Sequence, residues 1–412
     1  MKFNSICMIG LGYIGLPTAA VFARYGMTIK GVDINQHAVD TINQGKIHIE
    51  EPGLEELVKL AVDAKLLKAY TTPQEADAFI MAVPTPFKGE NHEPNVDYIE
   101  AATRSLAKVL KKGDLVILES TSPVGTTEKM SQWLAEERPD LTFPHQEAGE
   151  ESDVRVAHCP ERILPGQMIR ELVENDRVVG GITPRCTEAA TALYKIFVQG
   201  ECVETSARVA EMSKLTENSF RDVNIAFANE LSLLCDKMGI SVWELIEMAN
   251  KHPRVNILQP GCGVGGHCIA VDPWFIVNQF PNDAHMIRTA RETNDGKPLY
   301  VVSKVKEAVK DIKNPKIACL GLAFKPDIDD LRESPALEIT KMLSDNTEFT
   351  ILAVEPNVKQ LPKILDNRKN VEFTSLENAL KNADVIVILV KHKEFGELKE
   401  NRKIIDFVNA II

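Results

Sequence analysis

The chain has 412 residues, a formal net charge of −12, and 44% hydrophobic against 26% charged residues. That length exceeds one ordinary core and calls for two or three domains, and the composition is that of a globular protein in water. The acidic balance argues against a nucleic-acid or anionic-membrane surface, although an acidic whole can still hold a local basic pocket.

The opening "MKFNSICMIGLGYIG" is an apolar run broken by Gly10, Gly12 and Gly15, which reads as a buried strand entering a turn rather than a signal peptide. No apolar run of about 18 residues follows that could cross a bilayer. Eight scattered cysteines without CxxC pairs suit a reducing cytosol, so a cytoplasmic location is expected. Strand-like runs "SICMIG", "TIKGVD", "AFIMAV", "DLVILES" and "RVAHCPE" alternate with helical stretches, which implies a parallel sheet covered on both faces. The turn "GLGYIG" (Gly10, Gly12, Tyr13, Ile14, Gly15) lies between the first strand and a helix, as a dinucleotide-binding turn does. Asp33 ends the second strand, where a carboxylate accepts from ribose hydroxyls and repels a 2′-phosphate, favouring NAD over NADP. "AVPTPF" and "ESTSPVGTTEK" follow later strands, with Thr85, Thr121 and Thr126 the candidate cofactor contacts. "HQEAGEESD" reads as a polar surface loop.

Past residue 205 the pattern changes. From Ala207 to about Met238 there is no Gly or Pro, which predicts one long helix; Gly239 stops it and "SVWELIEMANK" supplies a second. Lys214, Asn218 and Arg221 fall within a stripe of about 60° on the long helix. They suit an anionic ligand or proton transfer, or simply a solvated face. "GCGVGGHCIAVD" then concentrates glycines around Cys262, His267, Cys268 and Asp272. Zinc ligation lacks a second Cys/His cluster. An inert thiol and a nucleophile served by converging backbone amides both stay open for Cys268. If "HCIAVD" opens a helix, Asp272 lies one turn from Cys268. After residue 300 the strand–helix alternation returns in "KIACLG", "FTILAVEP", "DVIVILV" and "KIIDFV". The fold class expected is α/β, with two Rossmann-like doubly wound domains joined by a long central helix and a helical middle. The expected boundaries are 1–204, 205–300 and 301–412.

In order along nearly the whole chain, "GLGYIG", "STSPVGT", "CPERILPG", "KLTENSFRDVNIAFANE", "GVGGHCIAVD" and "GLAFKPDIDDLRESPA" resemble the nucleotide-sugar 6-dehydrogenases. "HPRVNILQPG" and "AVDPWF" are most similar to the branch acting on UDP-N-acetyl-D-mannosamine, whose uronate product feeds bacterial surface polysaccharides. The resemblance implies a four-electron, NAD-dependent oxidation in which Cys268 is the nucleophile and passes through a thiohemiacetal and a thioester. It further implies acid/base or oxyanion work for Lys214 with its neighbour Asn218, and water activation for Glu161. Thr121 and Asp272 would position water and Lys214. Arg162, Ile163, Lys214, Asn218, Arg221, His252, Arg254, Gly265 and Lys325 would touch substrate, and Arg332 would reach NAD. It implies at least a homodimer, built through the long helix. The sequence departs from the family twice. Pro165 stands where UDP-glucose dehydrogenases carry a second glutamate, and Val408 stands two positions after Asp406 where a basic residue is usual. The alternatives are UDP-N-acetylglucosamine or UDP-glucose as substrate, a two-electron dehydrogenase with no need of Cys268, or a non-catalytic NAD-binding module.

Overall fold

The computed structural model describes residues 3–89, 91–163, 166–266, 268–396, 398 and 403–411. Pro165 and His267, both weighed in the sequence, lie outside the described residues. The chain divides into two compact units, Met1–Glu217 and Asn218–Ile412, and the division falls inside the long helix.

The first unit is built on β1 (Ser5–Ile9), β2 (Thr28–Val32), β3 (Leu67–Tyr70) and β4 (Ala78–Met81). A small antiparallel pair follows, β5 (Phe87–Lys88) with β6 (Glu93–Pro94). Then come β7 (Leu115–Leu118), β8 (Arg155–His158), β9 (Arg177–Gly181) and β10 (Cys202–Ser206). Its main sheet has eight strands in the order β10-β9-β8-β7-β4-β1-β2-β3. Every pairing is parallel except β8 with β9. Alternate side chains supply opposite faces. Ile6 and Met8 of β1 pack with Phe22 on one side, while Cys7 and Ile9 pack with Phe79 on the other. A sheet buried on both faces in this way needs the near-continuous apolar strands that the sequence shows.

The second unit repeats the plan with β11 (Lys316–Leu320), β12 (Thr350–Val354), β13 (Val371–Phe373), β14 (Val385–Ile388) and β15 (Lys403–Asp406), all parallel in the order β13-β12-β11-β14-β15. That is the order of β3-β2-β1-β4-β7 in the first unit. The long helix runs Ala207–Met238 as predicted, and Gly239 ends it at φ 70°. Ser241 caps the next helix, Val242–Ala249, by accepting from the Glu244 amide, the S-x-x-E arrangement of a helix start. No helix among the described residues is long and apolar enough to cross a membrane.

Candidate active site

The residues expected to act divide between the two units. In the first, the Gly-rich turn does three different jobs. Gly10 has φ +90°, and a Cβ there would stand 2.4 Å from the Ala82 carbonyl oxygen. At Gly15 a Cβ would lie 1.8 Å from the Gly10 carbonyl, so only glycine lets the helix Gly15–Arg24 start this close to β1. Gly12 is the exception, with nothing within 4 Å of where its Cβ would be. Its missing side chain serves no packing and leaves the helix mouth open, as a pyrophosphate ligand would require. Tyr13 is exposed and Ile14 half-buried beside it. Asp33, half-buried at the end of β2, accepts from the Leu11 amide (3.0 Å) and the Asn35 amide (2.9 Å). The carboxylate is thereby fixed to the same turn. These residues fit a dinucleotide.

The turns after β4 and β7 are stitched together. Thr85 donates to the Thr121 carbonyl at 2.7 Å, and the Val83 amide donates to Ser120 Oγ at 2.9 Å. Thr126 is buried, and its hydroxyl closes on the Pro123 carbonyl at 2.6 Å. The amides at the start of that helix, Gly125 and Thr127, donate to the carboxylate of buried Glu211. Glu161, just past β8, accepts from the Arg162 amide (2.6 Å) and from Arg177 Nη2 (3.0 Å). Arg177 opens β9, is buried, and also reaches Glu119 at the end of β7. Arg162 stands exposed and pairs with Glu217 at 2.9 Å; Ile163 packs against the core, and Lys214 is half-buried on the long helix.

In the second unit the loop carrying Cys268 is pinned along its length. Gly261 donates its amide to Asn229 Oδ1 (2.9 Å), and Gly266 donates to the Arg332 carbonyl (3.1 Å). A Cβ at Gly265 would meet the Glu333 carbonyl at 2.5 Å, so that position is backbone packed on backbone. Asn229 donates to Asn294, which donates to Asp222, and the buried Arg291 donates both to Asp222 and to the Ile269 carbonyl. The Cys268 carbonyl accepts from the Val271 and Asp272 amides, which turns the chain into the helix Asp272–Gln279. Asp272 is buried and takes a 2.5 Å hydrogen bond from Asn218 Nδ2. Cys268 itself is half-exposed, whereas Cys7, Cys159, Cys262 and Cys319 are buried, and burial pushes their thiols up to between about 11 and about 12. Arg221, His252, Arg254 and Lys325 are exposed, and Arg332 pairs with Asp330 at 2.6 Å.

A cleft of about 550 Å³ opens at the carboxyl ends of β11, β14 and β15, where this strand order reverses. Cys262, Phe324, Pro326, Lys391, Val408 and Asn409 are among its lining residues. Val408 therefore does face the cleft, and the cation there is Lys391, which donates to the Asn409 carbonyl at 2.7 Å. Sequence reasoning missed Lys391; its signal is a cation directly after the apolar run of β14. Glu355, at the end of β12, accepts from the Leu322 (2.7 Å) and Ala323 (2.9 Å) amides and lies 3.0 Å from His392 Nε2. His392 Nδ1 accepts from the Asp327 amide, so the grouping of Asp327, His392 and Glu394 leaves no ring nitrogen for a metal.

A Gly-rich turn that fits a dinucleotide on the mostly parallel sheet of the first unit, with a partly exposed thiol and a cleft on the second, is the set of features a dehydrogenase combines. The chain belongs to the UDP-glucose/GDP-mannose dehydrogenase family: its NAD-binding domain matches residues 4–198, its central domain 208–296 and its UDP-binding domain 318–411. It is 68% identical over 406 residues, 98% of this chain and 99% of the other, to a UDP-N-acetyl-D-mannosamine dehydrogenase of Campylobacter jejuni. It is 62% identical, over 98% of this chain and 94% of the other, to an NDP-N-acetyl-D-galactosaminuronic acid dehydrogenase of Ralstonia nicotianae. Among solved structures, a UDP-N-acetyl-mannosamine dehydrogenase from S. aureus superposes with a TM-score of 0.88 at 43% identity, covering 99% of this chain and 95% of that one.

Proposed function

We propose that this chain oxidises the C6 alcohol of UDP-N-acetyl-D-mannosamine to UDP-N-acetyl-D-mannosaminuronate, consuming two NAD and one water per sugar. The observation that carries the substrate is the 68% identity, end to end, with an enzyme of that name. NAD at the Gly12 cradle supplies the hydride acceptor for both oxidations. Cys268 Sγ adds to the aldehyde left by the first, and the thiohemiacetal becomes a thioester in the second. Water then cleaves the C–S bond, returning the thiol and releasing the carboxylate. Lys214 takes the alcohol proton and steadies the oxyanion, with Asn218 one helical turn on. Asp272 holds Asn218 by the short hydrogen bond described above. Glu161 takes the proton of the attacking water, which Thr121 positions. Arg162, Ile163, Arg221, His252, Arg254, Gly265 and Lys325 contact the UDP-sugar, the cations suiting its diphosphate. Arg332 reaches toward NAD, and Thr85 and Thr126 belong to its turns.

The functional unit is a homodimer of cytoplasmic chains. Phe220, Phe227, Leu234 and Met238 of the long helix are all exposed, and at 100° per residue they share a stripe about 40° wide. That supports a helix face awaiting a second copy. The galactosaminuronic relative at 62% identity motivates a second reading in which the sugar is the galactosamine epimer. A turnover assay decides between them, comparing UDP-N-acetylmannosamine, UDP-N-acetylgalactosamine, UDP-N-acetylglucosamine and UDP-glucose while counting NADH per sugar. Two NADH with the mannosamine sugar, and far slower turnover of the others, is the expected result. One NADH per sugar with free aldehyde, or preference for another sugar, rejects the reading.

A further inference from the structure

Glu119, Glu161 and Arg177 are buried together in the first unit, with Tyr194 and Cys159 against them. One guanidinium serves both acids: Nη2 lies 3.0 Å from Glu161 and Nη1 3.5 Å from Glu119, while its plane covers the Tyr194 ring at 4.8 Å from the centroid. Tyr194 donates its hydroxyl to Glu119 Oε1 at 3.1 Å. Glu119 Oε2 is buried and has no hydrogen-bond partner. Two carboxylates against one cation leave a buried negative charge unless one of them keeps a proton. Glu161 holds the shorter bond to Arg177 and an amide besides, so it is the better stabilised anion. An ionised oxygen at Glu119 Oε2 would have no donor at all, so the proton belongs to Glu119.

We infer that Glu119 is the second carboxylate of this enzyme, held protonated behind Arg177, and that it sets the basicity of Glu161 without touching any ligand. It is a positioning residue brought from the end of β7. Burial, then the Glu161 charge, pushes Glu119 up to about 8 against the pull of Arg177 and Tyr194. The other groups facing it stay fixed over that range. Burial raises the Cys159 thiol to about 12 and the Tyr194 phenol well above its usual value, and Arg177 remains a cation. Above that pH Glu119 gives its proton to solvent, and the one guanidinium charge is divided between two anions. The hold of Arg177 on Glu161 weakens, which leaves that carboxylate freer to take the proton of the hydrolytic water.

This inference rests on the reading that Glu161 activates that water. Its test is the single-turnover rate of thioester hydrolysis, by rapid quench of the full-length enzyme, across roughly pH 6 to 9.5. The native enzyme should show an inflection near pH 8 with faster hydrolysis above it, and Glu119→Gln should lack the inflection. Superimposable profiles for native and Glu119→Gln overturn the inference while leaving the thioester route intact. Difference infrared titration of the native protein, which needs no turnover, reads the same proton. A protonated carboxyl lost near pH 8 supports the inference even if no thioester forms, and its absence at pH 7, or its persistence in Glu119→Gln, overturns it.

Discussion

Of eight cysteines, Cys202 and Cys268 are the two that are partly exposed, and Cys268 is the one carried by the glycine-dense loop. Desolvation holds the thiols of Cys7, Cys159, Cys262 and Cys319 in the protonated, unreactive form, whereas Cys268 is partly exposed on a loop whose glycines let backbone pack directly on backbone. Brief alkylation at pH 7 should therefore label Cys268 before Cys7, Cys159, Cys262 or Cys319, as peptide mass mapping would show. Faster labelling of Cys262 would misplace the nucleophile. The glycines of the cofactor turn separate in the same way. Gly12→Ala adds a methyl into open space, so the melting temperature should hold while NAD affinity falls by tenfold or more, about 1.4 kcal/mol. Gly15→Ala drives that methyl into the Gly10 carbonyl and should cost roughly 3 kcal/mol of stability. Calorimetry alongside NAD titration distinguishes the two, and equal stability losses would contradict the assignment of roles.

At the scale of elements, the two sheets use one device twice. An acid at the end of the second strand accepts amides from the turn after the first: Asp33 from Leu11, and Glu355 from Leu322 and Ala323. Asp33 keeps part of its surface for a ligand, while Glu355 is buried and completed by His392 and Asn357, locking turns that line the cleft. Burial alone would raise Glu355, but the His392 and backbone hydrogen bonds outweigh it and bring the carboxyl to about 2. A folded-state value below the unfolded 4.5 means stability that is present above pH 4.5 and lost as pH falls toward 2. Glu355→Gln should therefore lower the unfolding free energy from urea titration at pH 7 by about 2 kcal/mol, with the gap closing below pH 4.5. A gap independent of pH would show that the charge is not what holds the turns. These locks were invisible in the sequence because Glu355 and His392 are far apart along the chain. The strands named from apolar runs were legible because burial on both faces demands such runs. β9 and β10 were not: "RVVGG" needs its glycines where Gly180 abuts the Ser206 carbonyl, and "CVETS" is a largely exposed edge strand. With β9 went Arg177, whose partners Glu119 and Glu161 only folding brings together.

For the whole molecule, the sequence read the α/β plan and the family from ordered motifs. Neither periodicity nor spacing could see the sugar's epimer or the charged cluster behind Glu161. The exposed stripe on the long helix predicts that Phe220→Asp with Phe227→Asp converts a dimer to a folded monomer, readable by sedimentation velocity. An unchanged mass would place the interface elsewhere. The proposed chemistry turns on Cys268 carrying the half-oxidised sugar. The most direct measurement is mass spectrometry of enzyme quenched during turnover with UDP-N-acetylmannosamine and NAD, followed by peptide mapping. A sugar-nucleotide adduct on the Cys268 peptide, absent in Cys268→Ser, is the predicted result; steady two-NADH turnover with that peptide never modified would contradict it.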